Sequence, residues 1–118
     1  MTTILVIGPP TRLPDLDRFL PDTWQVIRRE LIGAVPERAD IVLLTEPTAS
    51  QVSAACLAEP EAAVIVTLSP FSDHEDVVRV LDAGADACVR THNAAIVAAH
   101  AEACRRRQLA SPWPTYAA

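Results

Sequence analysis

Residues 77 to 90, VVRVLDAGADACVR, constrain the chain more than any other stretch, because they encode a helix, its stop and the strand that follows. Val77, Val80, Leu81 and Gly84 keep the i, i+3, i+4, i+7 spacing of a helix that buries one face. Gly84 tolerates positive φ at the position just past a helix end, and Ala-Asp-Ala-Cys-Val resumes as a short apolar strand. Upstream, Ser72 and Glu75 have the spacing of a capping box, in which a hydroxyl takes one free N–H and a carboxylate reaches back to another.

The same alternation runs through the rest of the chain. Residues 3 to 8, TILVIG, form a β-branched apolar run closed by Pro9 and Pro10, too short for a helix and suited to a buried strand. Pro14 fits the first turn of a short helix through Leu16, Phe19 and Leu20, which Pro21 ends. Trp24 to Ile27 suggests a second strand, and residues 31 to 38 leave room for at most one or two helical turns before a third at Ile41 to Leu44. Thr48 and Gln51 make a second capping box, opening a helix through Val52, Ala55, Cys56 and Leu57 that Pro60 stops. Ala63 to Leu68 is the fourth strand, residues 86 to 90 the fifth, and residues 93 to 107 a last helix whose Arg105, Arg106 and Arg107 suit the negative end of its dipole. Strand and helix in strict alternation predict an α/β fold, a doubly wound five-stranded parallel sheet with helices on both faces. The expected domain is 1–108, with 109–118 a tail or linker in which Trp113 and Tyr116 either stay solvated or dock.

Composition narrows the function. A net charge of −5 argues against a broad phosphate-binding surface, and all ten basic residues are Arg, which removes lysine Schiff-base and P-loop chemistry. Cys56, Cys88 and Cys104 lack metal or redox spacing and are expected to be buried thiols. No signal-peptide pattern or membrane-length apolar run is present, so a cytoplasmic protein is expected.

Sites in doubly wound sheets form outside the carboxyl ends of the strands. Those ends carry Gly8-Pro9-Pro10, Thr45-Glu46-Pro47, Ser69-Pro70 and Arg90-Thr91-His92. With ADIVLL at 39 to 44 and VVRVLDAGADACVR at 77 to 90, residues 3 to about 107 resemble the receiver domain of bacterial response regulators, which implies a flavodoxin-like, CheY-like sandwich. The resemblance places the family's magnesium-binding acidic pair on Gly8 and Pro9, its phospho-accepting aspartate on Thr45, its hydroxyl residue on Ser69, its aromatic switch on Cys88 and its lysine on Thr91. Ser69 alone keeps its type. A glycine and a proline offer no side-chain oxygen to magnesium, and a threonine is not the carboxylate nucleophile that an aspartyl phosphate needs. The resemblance is therefore to an atypical, aspartate-less receiver, with no cofactor, no metal and no catalytic residue expected.

Glu46 admits two readings, a carboxylate standing where a phosphate charge would sit and paired with Arg90, or a solvent-facing charge near a helix start. His74 and His92 read as solvated, and His100 as a packing residue among alanines. The expected function is a phosphorylation-independent regulatory module in bacterial signal transduction, acting by homodimerisation or by binding a protein partner. Any DNA contact would come through a separate domain, of which this would be the N-terminal companion. Arg79, Asp82, Asp86, Arg90 and Glu102 are the candidate interface residues, on the face that the family uses for dimers and effectors. The alternatives are a small-metabolite sensor using the vacated pocket of Gly8, Pro9, Thr45, Ser69 and Thr91, and a different flavodoxin-like enzyme.

Overall fold

A computed structural model of the protein describes residues 1–110. Five parallel strands form one sheet: β1 (Thr3–Ile7), β2 (Gln25–Arg29), β3 (Ile41–Thr45), β4 (Ala63–Leu68) and β5 (Ala87–Arg90), in the order β2-β1-β3-β4-β5. Three helices follow the third, fourth and fifth strands: α1 (Ala49–Ala58), α2 (His74–Asp82) and α3 (Ala94–Ala110).

The strands are short continuous apolar runs because both faces of the sheet are covered, and the pleat sends alternate residues to opposite sides. Ile4, Val6, Ile41, Leu43 and Ile65 pack with Leu13, Leu16 and Leu20 and with Val97, Ala98, Ala101 and Cys104 of α3. Leu5, Ile7, Val42, Leu44, Val64, Val66 and Leu68 pack on the other side with Val52 and Ala55 of α1 and Val80 of α2. All five residues of β3 are buried, as a central strand requires, whereas no residue of β2 or β5 at the edges is fully so.

The first crossover is thinner than the sequence pattern predicts, and the second has none of the one or two helical turns for which it had room. After β1 only a single 3-10 turn forms, Leu16–Arg18, and residues 31 to 38 contain no helix. The second connection is an irregular segment fastened by the 4%-exposed Glu59, whose carboxylate accepts from the N–H groups of Glu37 and Ala39 at 2.7 and 3.0 Å. Arg29 pairs with Glu37 at 2.9 Å on the same segment.

Helix α2 ends as expected and begins one residue later than expected. Gly84, at φ 121°, lets its own N–H reach Leu81 O and that of Ala85 reach Val80 O, the paired bonds of a Schellman stop. The N-cap is Asp73, which accepts from Asp76 N at 3.0 Å, and the Ser72–Glu75 box does not form. Ser72 closes a turn onto Ser69 O instead, which leaves Asp73 as the next acceptor at the helix mouth. Leu81 is 41% exposed, so the buried stripe of α2 is narrower than its spacing implies. The Thr48–Gln51 box of α1 forms in both directions. α3 runs on through Leu109 and Ala110, into the stretch expected as tail, and Trp113 and Tyr116 lie outside the described residues. Among the described residues, no helix is long and apolar enough to cross a membrane.

Candidate functional site

The chain leaves β1 toward β2 on one side and returns through β3 on the other, so the crevice where such sheets bind ligands opens between the carboxyl ends of β1 and β3. Here that crevice is filled. Thr45 is buried at the end of β3 and its Oγ1 donates to Ile7 O at 3.2 Å. Gly8 sits against it at φ 147°, and a Cβ on Gly8 would fall 1.9 Å from that Oγ1. Any side chain at position 8, an acidic one included, would have to displace Thr45.

The next residue, Glu46, is at φ 48°, uncommon for a residue other than glycine, and its N–H is held by Thr67 O at 2.8 Å. Its Oε2 lies 3.5 Å from Arg12 Nε and 3.3 Å from His92 Nε2. Arg12 also donates from NH1 to Thr45 O at 3.1 Å. The loops after β1, β3 and β5 are thus tied together by a guanidinium, a carboxylate and an imidazole. Arg90 is not part of this cluster, because its NH1 donates to Ser72 O at 3.0 Å. The expected Glu46–Arg90 pair is replaced by Arg12 and His92, which approach from the loops on the α3 face.

Below the cluster lies a cavity of about 230 Å³ lined by Thr11, Arg12, Leu13, Pro14, Thr45, Thr67 and His92. Strand pairing sets Thr67 directly beside Thr45, and both side chains stand on the α3 face of the sheet. Ser69 is elsewhere, its Oγ accepting from Phe71 N at 3.1 Å, and Thr91 Oγ1 accepts from Asn93 N at 3.0 Å in the turn that caps α3. Of the degenerate positions read from sequence, then, the structure brings Gly8 and Thr45 into contact, leaves Pro9 exposed, and gives Ser69 and Thr91 local turn roles. Arg12 and Thr67 are the residues that sequence reasoning missed, while His92, expected to be solvated, is half-exposed and also reaches Glu46. The one signal for Thr67 was a hydroxyl inside an otherwise apolar strand.

Cys88 packs beside the α1–α2 core, and burial pushes its thiol up while the nearby Arg90 opposes the shift. The thiols of Cys88 and Cys56 are half-buried rather than buried, and only Cys104 is fully enclosed. His100 is exposed on α3 rather than packed among alanines, and His74 is exposed at the start of α2. The donor set does not fit a hard divalent cation: Gly8 and Pro9 carry no side-chain oxygen and Glu46 is committed to Arg12 and His92.

Of the candidate interface residues, Asp86 and Arg90 serve the fold. Asp86 accepts from Val64 N at 2.7 Å, and Arg90 holds the loop before α2. Glu102 is half-buried on α3. Arg79 and Asp82 remain outward on α2, Arg79 paired with Asp76 at 2.8 Å, beside the exposed Val78 and Leu81.

No protein-family model matches the chain, and no curated protein matches it. Solved structures do. A CheY-like response regulator receiver domain protein from Methanospirillum hungatei JF-1 superposes with a TM-score of 0.76 at 17% identity, covering 92% of this chain and 97% of that one. DrrB, an OmpR/PhoB homolog from Thermotoga maritima, gives 0.74 at 22% identity, with 92% of this chain covering 54% of that longer one. A response regulator from Burkholderia pseudomallei, whose structure contains a phosphorylated aspartic acid, gives 0.66 at 19% identity over 95% of this chain and 76% of that one. The order of the strands, their uniformly parallel pairing and these superpositions together give the chain the CheY-like, flavodoxin-type fold of receiver domains.

Proposed function

We propose that the protein is a regulatory module of bacterial signal transduction that works without phosphorylation, through self-association or a protein partner, and is not an enzyme. The observation that carries this reading is the contact of Gly8 with Thr45. It leaves neither an acceptor carboxylate nor room for metal-binding side chains at the crevice between β1 and β3. With that chemistry gone, the output lies in a surface. α2 offers one, with Val78 51% and Leu81 41% exposed on the helix that carries Arg79 and Asp82, and Phe71 94% exposed on the loop before it. Apolar residues rimmed by both signs of charge are what a self-complementary contact about a twofold axis needs. Contact with DNA, on this reading, belongs to a separate domain.

Sedimentation equilibrium over a wide concentration range tests the surface. A dimer that Arg79→Glu weakens supports it, while a strict monomer rejects self-association and leaves partner docking. Incubation with acetyl phosphate and magnesium tests the other half: the intact mass is expected to stay unchanged, and gain of one phosphoryl group would overturn phosphorylation independence. The metabolite-sensing reading rests on a different observation, the cavity beside Thr67.

A further inference from the structure

We propose that residues 31 to 36 and the neighbouring side of α1 form a second self-association surface, on which two copies of the chain meet about a twofold axis and fill each other's apolar cavity. This rests on the self-association reading but places a contact on the β2 side of α1, away from α2, which lies on the side of Ser53 and Cys56.

The crossover from β2 to β3 makes the first argument. The connections out of β3 and β4 each carry a helix that packs on this face of the sheet, α1 and α2, whereas residues 31 to 38 carry none. What such a helix would cover is left as a cavity of about 230 Å³. Ile7 and Leu44, buried at the carboxyl ends of β1 and β3, form its floor, and Leu31, Ile32, Gln51 and Ala54 complete the lining. Beside it stand apolar side chains in solvent: Leu31 is 67% and Val35 76% exposed, and Leu57, one turn along α1 from Ala54, is 84% exposed. Exposed apolar side chains grouped around an apolar cavity mark a contact surface.

Two observations commit this surface to a second copy of the chain. The first is that recess and projection lie together on it. A twofold contact sets one patch against itself, so each copy must supply both the cavity and the side chain that enters its partner's. Leu31 and Val35 are the projections, and at about 230 Å³ the cavity exceeds the ~30 Å³ share of a single water several-fold, which leaves room for a branched aliphatic side chain. The second is charge. Each copy carries −5, so two copies repel in general. Yet neither LIGAVP, residues 31 to 36, nor ASQVSAACLA, the whole of α1, contains an acidic or basic residue. Copies that meet here oppose no like charges at the centre of the contact, whereas a partner recognised through charge would find nothing to pair with.

The experiment is sedimentation equilibrium of the full chain carrying Arg79→Glu, which disables the α2 contact, with ¹H–¹⁵N NMR spectra over the same dilution series. A monomer–dimer equilibrium is expected to persist, with concentration-dependent shifts at the amides of residues 31 to 35 and 51 to 57. Adding Leu31→Glu puts a carboxylate into the contact twice and should raise the dimer Kd at least about tenfold. Val35→Glu, which leaves the cavity lining intact, should raise it at least about fivefold. Both side chains are exposed in the single chain, so the urea midpoint of either variant should stay unchanged, which separates loss of the contact from loss of the fold. A strict monomer with Arg79→Glu, a Kd that neither substitution moves, or dilution shifts confined to other residues would overturn the proposal. Dimerisation lost with Arg79→Glu alone would overturn this surface and uphold the one on α2, so the two readings fail separately.

Discussion

Gly84 and Thr67 show the two ways a single residue acts in this protein. Gly84 is required by its backbone: at φ 121° an added Cβ would also meet Cys56 Sγ at 2.9 Å. Gly84→Ala is expected to lower unfolding free energy by about 1–3 kcal/mol in urea denaturation, since left-handed strain and the sulfur contact act together. That need was visible in sequence, because a glycine between a helical spacing and an apolar run has a local reason. The position of Thr67 was not visible. Its neighbour Thr45 is 22 residues away and is set beside it only by strand register. Cysteine reactivity belongs to the same scale. Burial raises the Cys88 thiol, and burial, with the negative charge of Asp86, raises that of Cys56. A raised pKa means less thiolate at a given pH, so alkylation rates at both should turn on above the pH of a free cysteine, about 8.5. Peptide-resolved alkylation against pH checks this, and a midpoint at or below that of a free thiol would contradict it.

At the scale of elements, local capping was legible for α1 and misleading for α2. Thr48 and Gln51 close a box whose partners are all within three residues, so sequence spacing was enough. Thr48→Ala should cost about 1 kcal/mol of stability, read as a lower urea midpoint with an unchanged slope. The start of α2 was displaced because the turn between Ser69 and Ser72 had already used Ser72, an interaction outside the capping pattern. The second crossover, where the sequence left room for at most one or two helical turns, shows what local reading does not supply. Residues 31 to 38 have no helix, and their shape depends on Glu59, which lies beyond the end of α1. Glu59→Ala would leave the Glu37 and Ala39 N–H groups without their acceptor and should cost about 2–3 kcal/mol. Hydrogen exchange at those two amides should accelerate before exchange in β3 does; unchanged protection there would show that the segment is held by something else.

For the molecule as a whole, one sheet separates two cores that share β1, β3 and β4. Val52 on the α1 side and Val97 on the α3 side are both fully buried, on opposite faces of that sheet. Truncating either to Ala is expected to cost about 2 kcal/mol, and the double variant about the sum, within roughly 0.5 kcal/mol, in a single unfolding transition. Two transitions would mean that the layers unfold separately. The number of strands and their parallel class were determined by the sequence alone, because apolar runs, prolines and the glycine stop act over a few residues and leave few topologies that bury them. Tertiary structure alone decided which chemical groups meet. Register set Thr67 beside Thr45, and the packing of loops 34 and 46 residues apart in the chain brought Arg12 and His92 to Glu46 rather than Arg90. Side chains that distant in sequence carry no local signal of each other, since their meeting depends on strand pairing that forms only when the whole sheet does.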